Sequence, residues 1–556
     1  MSLQSLRYIL SQPSTTIQLC LVGLAGGFMS ALIIVIFRWL LTLLHEFMLD
    51  DIGNYGHLDS AHLFLLPIVS VCLIILVAKL TGFKHYRMGI PFVIHRVKYF
   101  YGHIPMLTTI NQFFGGLLAL ASGFVVGKEG PTVHLAAWAS HLVGRWIDAP
   151  FNSLRILAGC GIAAGISAAF NTPFAAVIFV MEVVLREYKI HIFVPVMLSA
   201  ACGSVLTRAV FGDINELTFL QFTPVPVEQL PYLIIMGVVI GIIASAYNKQ
   251  LMWTMRLFRP VNMIGRLFIA ALISGLFGYF MPEALGAEFI NVNNLLASDP
   301  SVKILLSILA AKFILSIIAI ALGVPGGIIG AVMVIGMLLG VALLQPIASF
   351  IADDMTSTYA LLGLAGFLAS VLHAPMAALS AAMELASSPK AVLPSMIVIV
   401  SAYVTSKQFC ANRSLFMQQL DYQKLPYTTS EVRDILQQTG VLALMRSDIK
   451  IFQAEDDDKI HSYLQEHPEH LVIKQNSADM SDAQVLTLNI LLHKHESAII
   501  NQDTQLLTQQ HTLADVYDAL HTTRSGAMII TKKHKQDIMG VITWEMVRAH
   551  LLKLRH

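Results

Sequence analysis

The pentapeptide Gly127-Lys128-Glu129-Gly130-Pro131 places a carboxylate between two glycines, with apolar runs on either side. An ionisable side chain in apolar surroundings costs free energy unless partnered, so such a residue marks a functional position. Burial opposes ionisation of a carboxyl, whereas the N–H groups of a helix start favour it. A carboxyl between those influences can take up and release a proton in a useful range. The bland alternative is a structural glutamate at a helix N-terminus. A Gly-rich turn followed by a helix start also suits an anion. It offers unpaired N–H groups and about half a positive charge. Two or more such ends converging could balance one dehydrated anion without a fixed cation, which would hold it too tightly for passage.

The elements that must position Glu129 read as membrane helices. The chain has 556 residues, 56% hydrophobic and 13% charged. Its mean hydropathy is +0.67. Soluble domains carry roughly 25% charged residues, so most of this chain faces lipid. The net charge of +1 gives no sign of a nucleic-acid partner. Long apolar segments include 17–47, 62–81, 105–126, 192–212, 231–248 and 390–408. A spanning helix needs roughly 20 such residues. Other segments are shorter or broken by Gly and Pro: 88–95, 129–144, 156–169, 173–186, 324–344, 360–372 and 374–386. Broken helices persist at membrane depth only where protein buries them or they line a cavity, which points to a polytopic transporter or channel. The N-terminus has no cleavage-site pattern, so the first apolar run is expected to be retained. Cys20, Cys72, Cys160, Cys202 and Cys410 lie in or beside apolar segments and read as packing residues, not disulfide or metal partners. No nucleophile–base constellation in the membrane part suggests an enzyme.

From about residue 421 the chain is polar and His-rich, and nothing there could span a membrane. Residues 512–553 read as helix, strand (527–531), turn, strand (538–543), helix, a unit that resembles a CBS module. A first module around 440–475 is less distinct. His493 and His495 read as a solvated pair, and Asp456–Asp458 as a loop or helix-start charge run.

An internal repeat underlies the apolar region. At a constant offset, Gly161, Ala163, Pro173, Ala175, Ala176, Met181 and Glu182 match Gly363, Ala365, Pro375, Ala377, Ala378, Met383 and Glu384. A second match pairs Gly127, Gly130, Leu142 and Gly144 with Gly323, Gly326, Leu338 and Gly340. Repeated halves are common in transporters. Each half therefore supplies one Gly-rich turn and one helix start.

Along nearly the whole of 17–420, the chain resembles the CLC family of chloride channels and proton-coupled chloride exchangers. The first anion motif is Arg87-Met88-Gly89-Ile90-Pro91, the second Gly127–Pro131, and the third Gly326-Gly327-Ile328-Ile329-Gly330. Ala169–Pro173, Glu182 and Glu384 also fit the family's helix starts and ends. The resemblance implies an all-α polytopic membrane protein with about eighteen helices in two inverted repeats, about 17–215 and 228–410. It also implies a homodimer in the cell membrane. The N-terminal segment 1–16 and the soluble α+β CBS-like domain 421–556, its clearer module at about 505–556, would be cytoplasmic. Partners would be chloride or other small anions, protons and lipid. Glu129 would be the gate, blocking an anion site when ionised and leaving it when protonated. Gly89, Ile90, Pro91, Gly127, Lys128, Gly130, Ile329 and Gly330 would surround the anion, with Met88 and Phe416 at the positions of the family's hydroxyl ligands.

Those two positions depart from the pattern. Met88 replaces a serine and Phe416 the usual tyrosine, so neither supplies an O–H donor. Methionine there resembles the fluoride-exporting branch. Ile329 and Ala331 stand where Phe and Pro are usual. Val183 follows Glu182 at a coupling position where many exchangers of the family carry a second glutamate, and valine cannot carry a proton. These departures lean the expectation toward passive chloride conduction, with proton-coupled chloride or fluoride antiport as the alternative. CBS pairs often bind adenine nucleotides, but Thr543-Trp544-Glu545-Met546 lacks the Asp that commonly accompanies ribose binding, so no cofactor is expected.

Overall fold

The computed structural model describes residues 2–49, 55–82, 89–212, 222–298, 300–350, 354–427, 430–453, 456–475, 483–488, 499–532 and 537–554. These fall into two compact bodies. One comprises Cys20–Val143 and Ile156–Tyr427; the other Met1–Leu19, Gly144–Arg155 and Thr428–His556.

The helices before the tail are α1 (Leu3–Ser11), α2 (Ile17–Met48), α3 (Ser60–Leu80), α4 (Gly89–Tyr99), α5 (Met106–Ala121) and α6 (Glu129–Trp146). They continue with α7 (Phe151–Phe170), α8 (Pro173–Phe179), α9 (Ile190–Phe211), α10 (Leu230–Leu257), α11 (Met263–Phe280) and α12 (Phe289–Ala297). The last are α13 (Val302–Leu322), α14 (Ile329–Leu344), α15 (Thr356–Leu372), α16 (Pro375–Ala386), α17 (Val392–Val404) and α18 (Leu415–Gln423). Among the described residues, nine helices are long and apolar enough to cross a membrane. Several start on recognisable signals. Asn262 accepts from Gly265 N at 2.7 Å and caps α11, while α8 and α16 begin on proline, which suits the first helical turn.

The two halves repeat in space. Gly123 and Gly323 both take left-handed backbone (φ +80° and +91°), each just after the helix that leads into the next Gly-rich turn. Asn171 and His373 do so before α8 and α16, with φ of 55° and 56°. Gly127 and Gly327 form a two-way backbone bridge, N to O at 2.7 and 2.6 Å. The repeat in this region thus pairs Gly127 with Gly327 and Gly130 with Gly330. The sequence match of Gly127 to Gly323 and Gly130 to Gly326 is one helical turn out of register. A slip of four residues keeps the same helix face toward the same neighbour, so small-residue patterns alone do not expose it.

The second body holds the tail. Strands β1 (Ile449–Gln453), β2 (Leu471–Gln475), β3 (Gln484–Leu488) and β4 (Ile499–Gln502) form one sheet in that order. A second sheet runs β5 (Thr504–Thr508), β6 (Ala527–Thr531), β7 (Ile538–Thr543). The helices here are α19 (Glu431–Leu436), α20 (Asp457–Glu466), α21 (Leu513–Leu520) and α22 (Trp544–Leu554). β1 and β2 are parallel and β3 is antiparallel to β2; β5, β6 and β7 repeat that pattern. Two strand–helix–strand–strand units are therefore present, and the indistinct first unit runs through β3. Ile473 and Val485 of the first bury against Ile529 and Val541 of the second, giving one soluble α+β core. Asp456 precedes α20 and pairs with Lys459 at 2.8 Å. His493 and His495 lie outside the described residues.

Two boundary expectations change. The segment 1–16 is not separate: residues through Leu19, with Gly144–Arg155, belong to the body of the tail, and the helical body extends to Tyr427. The five cysteines are free thiols, but only Cys160 is a buried packing residue and Cys72 is exposed.

Candidate functional site

Glu129 opens α6 and is 2% exposed. Its carboxylate folds back over glycine backbone. A methyl group on Gly127 would overlap it. One on Gly327 would lie 2.7 Å from Oε2, and one on Gly330 would lie 3.0 Å from Oε1. Only hydrogen at these three positions leaves room for two oxygens. The Gly127–Gly327 bridge fixes the second and third motifs side by side. The first intrahelical bond of α14 runs from Val332 N to Ile328 O at 2.9 Å, so the N–H groups of its opening turn lie beyond the intrahelical ladder, beside the Glu129 carboxylate. That is a place built for negative charge, filled by the protein's own carboxylate.

Two cavities meet this region. The larger, about 660 Å³, is lined by Gly89, Ile90 and Pro91 of the first motif, Gly326 to Ile328 of the third, and Phe416 of α18. Gly89 takes φ +77°, which opens α4 toward the third motif. Arg259, Arg266 and Lys424 also line this cavity, and no Asp or Glu is among its lining residues. Cationic walls raise the local concentration of anions. The smaller, about 70 Å³, is lined by Glu129, Ile329, Phe170, Met333 and other apolar side chains. Glu129 thus borders an apolar chamber, while Gly327 of the bridge and Ile328 beside it border the cationic one.

The other expected site residues fall as follows. Gly89, Ile90, Pro91 and Phe416 come together, and Phe416 is buried (1% exposed). Met88 and Arg87 lie outside the described residues. Gly127 and Gly330 belong to the backbone cradle, and Gly130 meets the Gly326 and Gly327 backbone so closely that no side chain fits. Lys128 holds its ammonium 4.6 Å from the Phe170 ring centroid and lines neither cavity. It is a cation–π partner of the smaller chamber's wall. Val183 is buried in the π-helical turn that extends α8 and also lines neither cavity.

Glu182, the expected coupling position, caps a helix of the other half. Its Oε2 accepts from Ala377 N at 2.7 Å and its Oε1 from Met376 N at 3.3 Å, at the start of α16. Glu384 does the same for α8, accepting from Ala175 N at 2.8 Å and Phe174 N at 3.1 Å. Each helix of the repeat pair ends in the cap of the other's beginning. The sequence match placed both glutamates correctly, but not this exchange.

Lys312 and Gln112 are buried polar side chains that the sequence pattern did not single out. Lys312 in α13 is 1% exposed and donates from Nζ to Leu285 O at 3.0 Å and Gly286 O at 2.9 Å. Gln112 in α5 is fully buried and accepts from Gly89 N at 3.1 Å. A charged residue in the middle of an apolar helix was the available signal for Lys312; Gln112 stands in a polar first half of α5 and had no such signal.

Comparison with known proteins agrees with this arrangement. Residues 69–407 match the family model described as voltage gated chloride channel. The H(+)/Cl(-) exchange transporter ClcA of Vibrio vulnificus (strain YJ016) is 26% identical over 325 residues, covering 56% of this chain and 68% of the relative. A crystal structure of a CLC-type fluoride/proton antiporter superposes with TM-score 0.60 at 22% identity, over 73% of this chain and 99% of that one. A eukaryotic CLC transporter superposes with TM-score 0.62 at 18% identity over 95% of this chain and 97% of its own, and so spans the tail as well. The glycine turns bridged around a single carboxylate are thus set in a fold shared along the chain, and the chain belongs to the voltage-gated chloride channel family, the CLC proteins.

Proposed function

We propose that this chain carries chloride across a membrane in exchange for protons, with Glu129 as gate and proton carrier. One observation carries the reading: the Glu129 carboxylate fills a glycine cradle at the start of α14, beside the bridge that borders the cationic cavity. Ionised, it holds the place an anion would take. Protonated, it loses the attraction of the helix start and releases that place. Each exchange of carboxylate for anion then moves one proton.

The lean to passive conduction rested on Val183 and Phe416. Val183 lies off both cavities, so its lack of a carboxyl says little about the path, and the named relative is an exchanger. Coupled exchange is the better reading. Fluoride is a second substrate reading, favoured by Met88. The family resemblance supports a homodimer with a cytoplasmic CBS-like tail. Thr543 Oγ1 accepts from Met546 N at 3.4 Å at the start of α22.

Purified protein in liposomes, held in opposed chloride and proton gradients, tests the reading. The reversal potential should lie away from the chloride equilibrium potential, and chloride influx should drive proton efflux. A reversal potential equal to the chloride potential would restore the passive reading. Chloride and fluoride efflux measured side by side decide the substrate.

A further inference from the structure

Gln112 sits where the cationic cavity reaches the start of α4. Its side chain is fully buried, and it lines the cavity together with Gly89, Ile90, Gly326, Gly327 and Phe416. Gly89 N–H can only donate, so the carboxamide must present oxygen to it, and that bond is 3.1 Å. The orientation of the amide is thereby fixed, with Nε2 as the remaining donor group. Nε2 is buried and has no hydrogen-bond partner among the described residues. A methyl group on Gly116, one turn further along α5, would lie 3.8 Å from Nε2 and 2.5 Å from Pro131 Cγ. The free donor therefore faces the side of α5 on which α6 begins.

A buried donor without an acceptor is destabilising, so such a group in a native protein is expected to meet an acceptor such as water or an ion. Beside a cationic cavity, the visiting acceptor is an anion. We propose that Gln112 is a specificity-determining anion ligand, its oxygen holding the Gly89 turn and its Nε2 N–H donating to the passing anion. The inference rests on the anion-transport reading above. A neutral amide suits the task, because it adds a directional donor without the fixed charge that would trap the ion. Hydrogen bonds strengthen with the charge density of the acceptor, so the donor favours fluoride over chloride more than backbone dipoles alone would.

The test uses the full chain with Gln112→Glu and Gln112→Met. Glutamate keeps an oxygen for Gly89 N but replaces the donor with a second acceptor. Methionine keeps the length and removes both. Chloride affinity by isothermal titration should fall at least about tenfold in Gln112→Glu at neutral pH. In liposomes the fluoride-to-chloride efflux ratio should fall several-fold in Gln112→Met, whereas a merely structural loss would slow both anions alike. If the glutamate variant does not fold, the efflux ratio of the methionine variant decides. An unchanged ratio and affinity, with wild-type efflux intact, overturn the role of Gln112 alone. Absence of anion efflux from wild-type liposomes overturns the transport reading, and this inference with it.

Discussion

At the scale of a residue, Glu129 concentrates the chemistry because its surroundings leave it one compact alternative to an anion. The cradle of Gly127, Gly327 and Gly330 holds the two carboxylate oxygens only because none of the three carries a side chain. The sign of the pH dependence follows. The ionised side chain holds the cradle, and protonation empties it, so wild-type anion flux should rise as pH falls. Glu129→Gln removes the charge with little change in shape. Its flux should lose most of its pH dependence between about pH 4 and about pH 8, and anion movement should no longer drive protons. A variant that retains the wild-type pH profile would place the titrating group elsewhere. The identity of this residue was readable from the pentapeptide alone. Its geometry was not, because the cradle is completed by residues about two hundred positions away, and a backbone bridge between two glycines leaves no mark in side-chain pattern.

At the scale of elements, hydropathy located most helices because their lipid faces are continuous. The expected segment 17–47 became α2 (Ile17–Met48), and 129–144 became α6 (Glu129–Trp146). The end of α10 ran past 248 to Leu257, since Asn248, Lys249 and Gln250 are polar but still helical. Asn248 is itself buried there, donating to Val371 O at 3.0 Å. The repeat was legible at α8 and α16, where proline and glutamate anchor the register. It slipped one turn at α6 and α14, where only glycines do. The crossed caps of Glu182 and Glu384 make a further expectation at this scale. Each carboxylate satisfies two N–H groups at the other helix's start, so Glu182→Gln and Glu384→Gln should each cost about 1–2 kcal/mol of stability. Thermal unfolding in detergent would measure it. The proton-to-anion ratio should stay at the wild-type value in Glu182→Gln; a changed ratio would return Glu182 to the coupling path.

At the scale of the whole molecule, the soluble body is assembled from three distant parts of the chain, and one side chain joins them. Asn152, in the Gly144–Arg155 segment, places Nδ2 3.0 Å from Leu10 O, 3.2 Å from Ser11 O and 3.1 Å from Gln438 O. The first two are carbonyls at the end of α1, which a helix C-terminus leaves without intrahelical partners. Ser153 Oγ donates to Leu10 O at 2.6 Å, and Gly440 N to Ser11 O at 2.8 Å. A side chain on Gly440 would meet Ser11 Cβ at 2.8 Å, so this junction admits no bulk at that point. Composition could not reveal the assembly, because each of its bonds ends on a backbone carbonyl that any residue could supply. Asn152→Asp keeps the size and removes both donors, so Gln438 O loses this bond and a carboxylate faces three carbonyl oxygens, at a cost of about 1–3 kcal/mol. Gly440→Ala should act in the same direction through sterics. Both variants should lower the unfolding temperature of the full chain and speed limited proteolysis of α1 and of the tail together, because the same contacts order both. Cleavage of one segment without the other would mean that α1 and the tail are held independently.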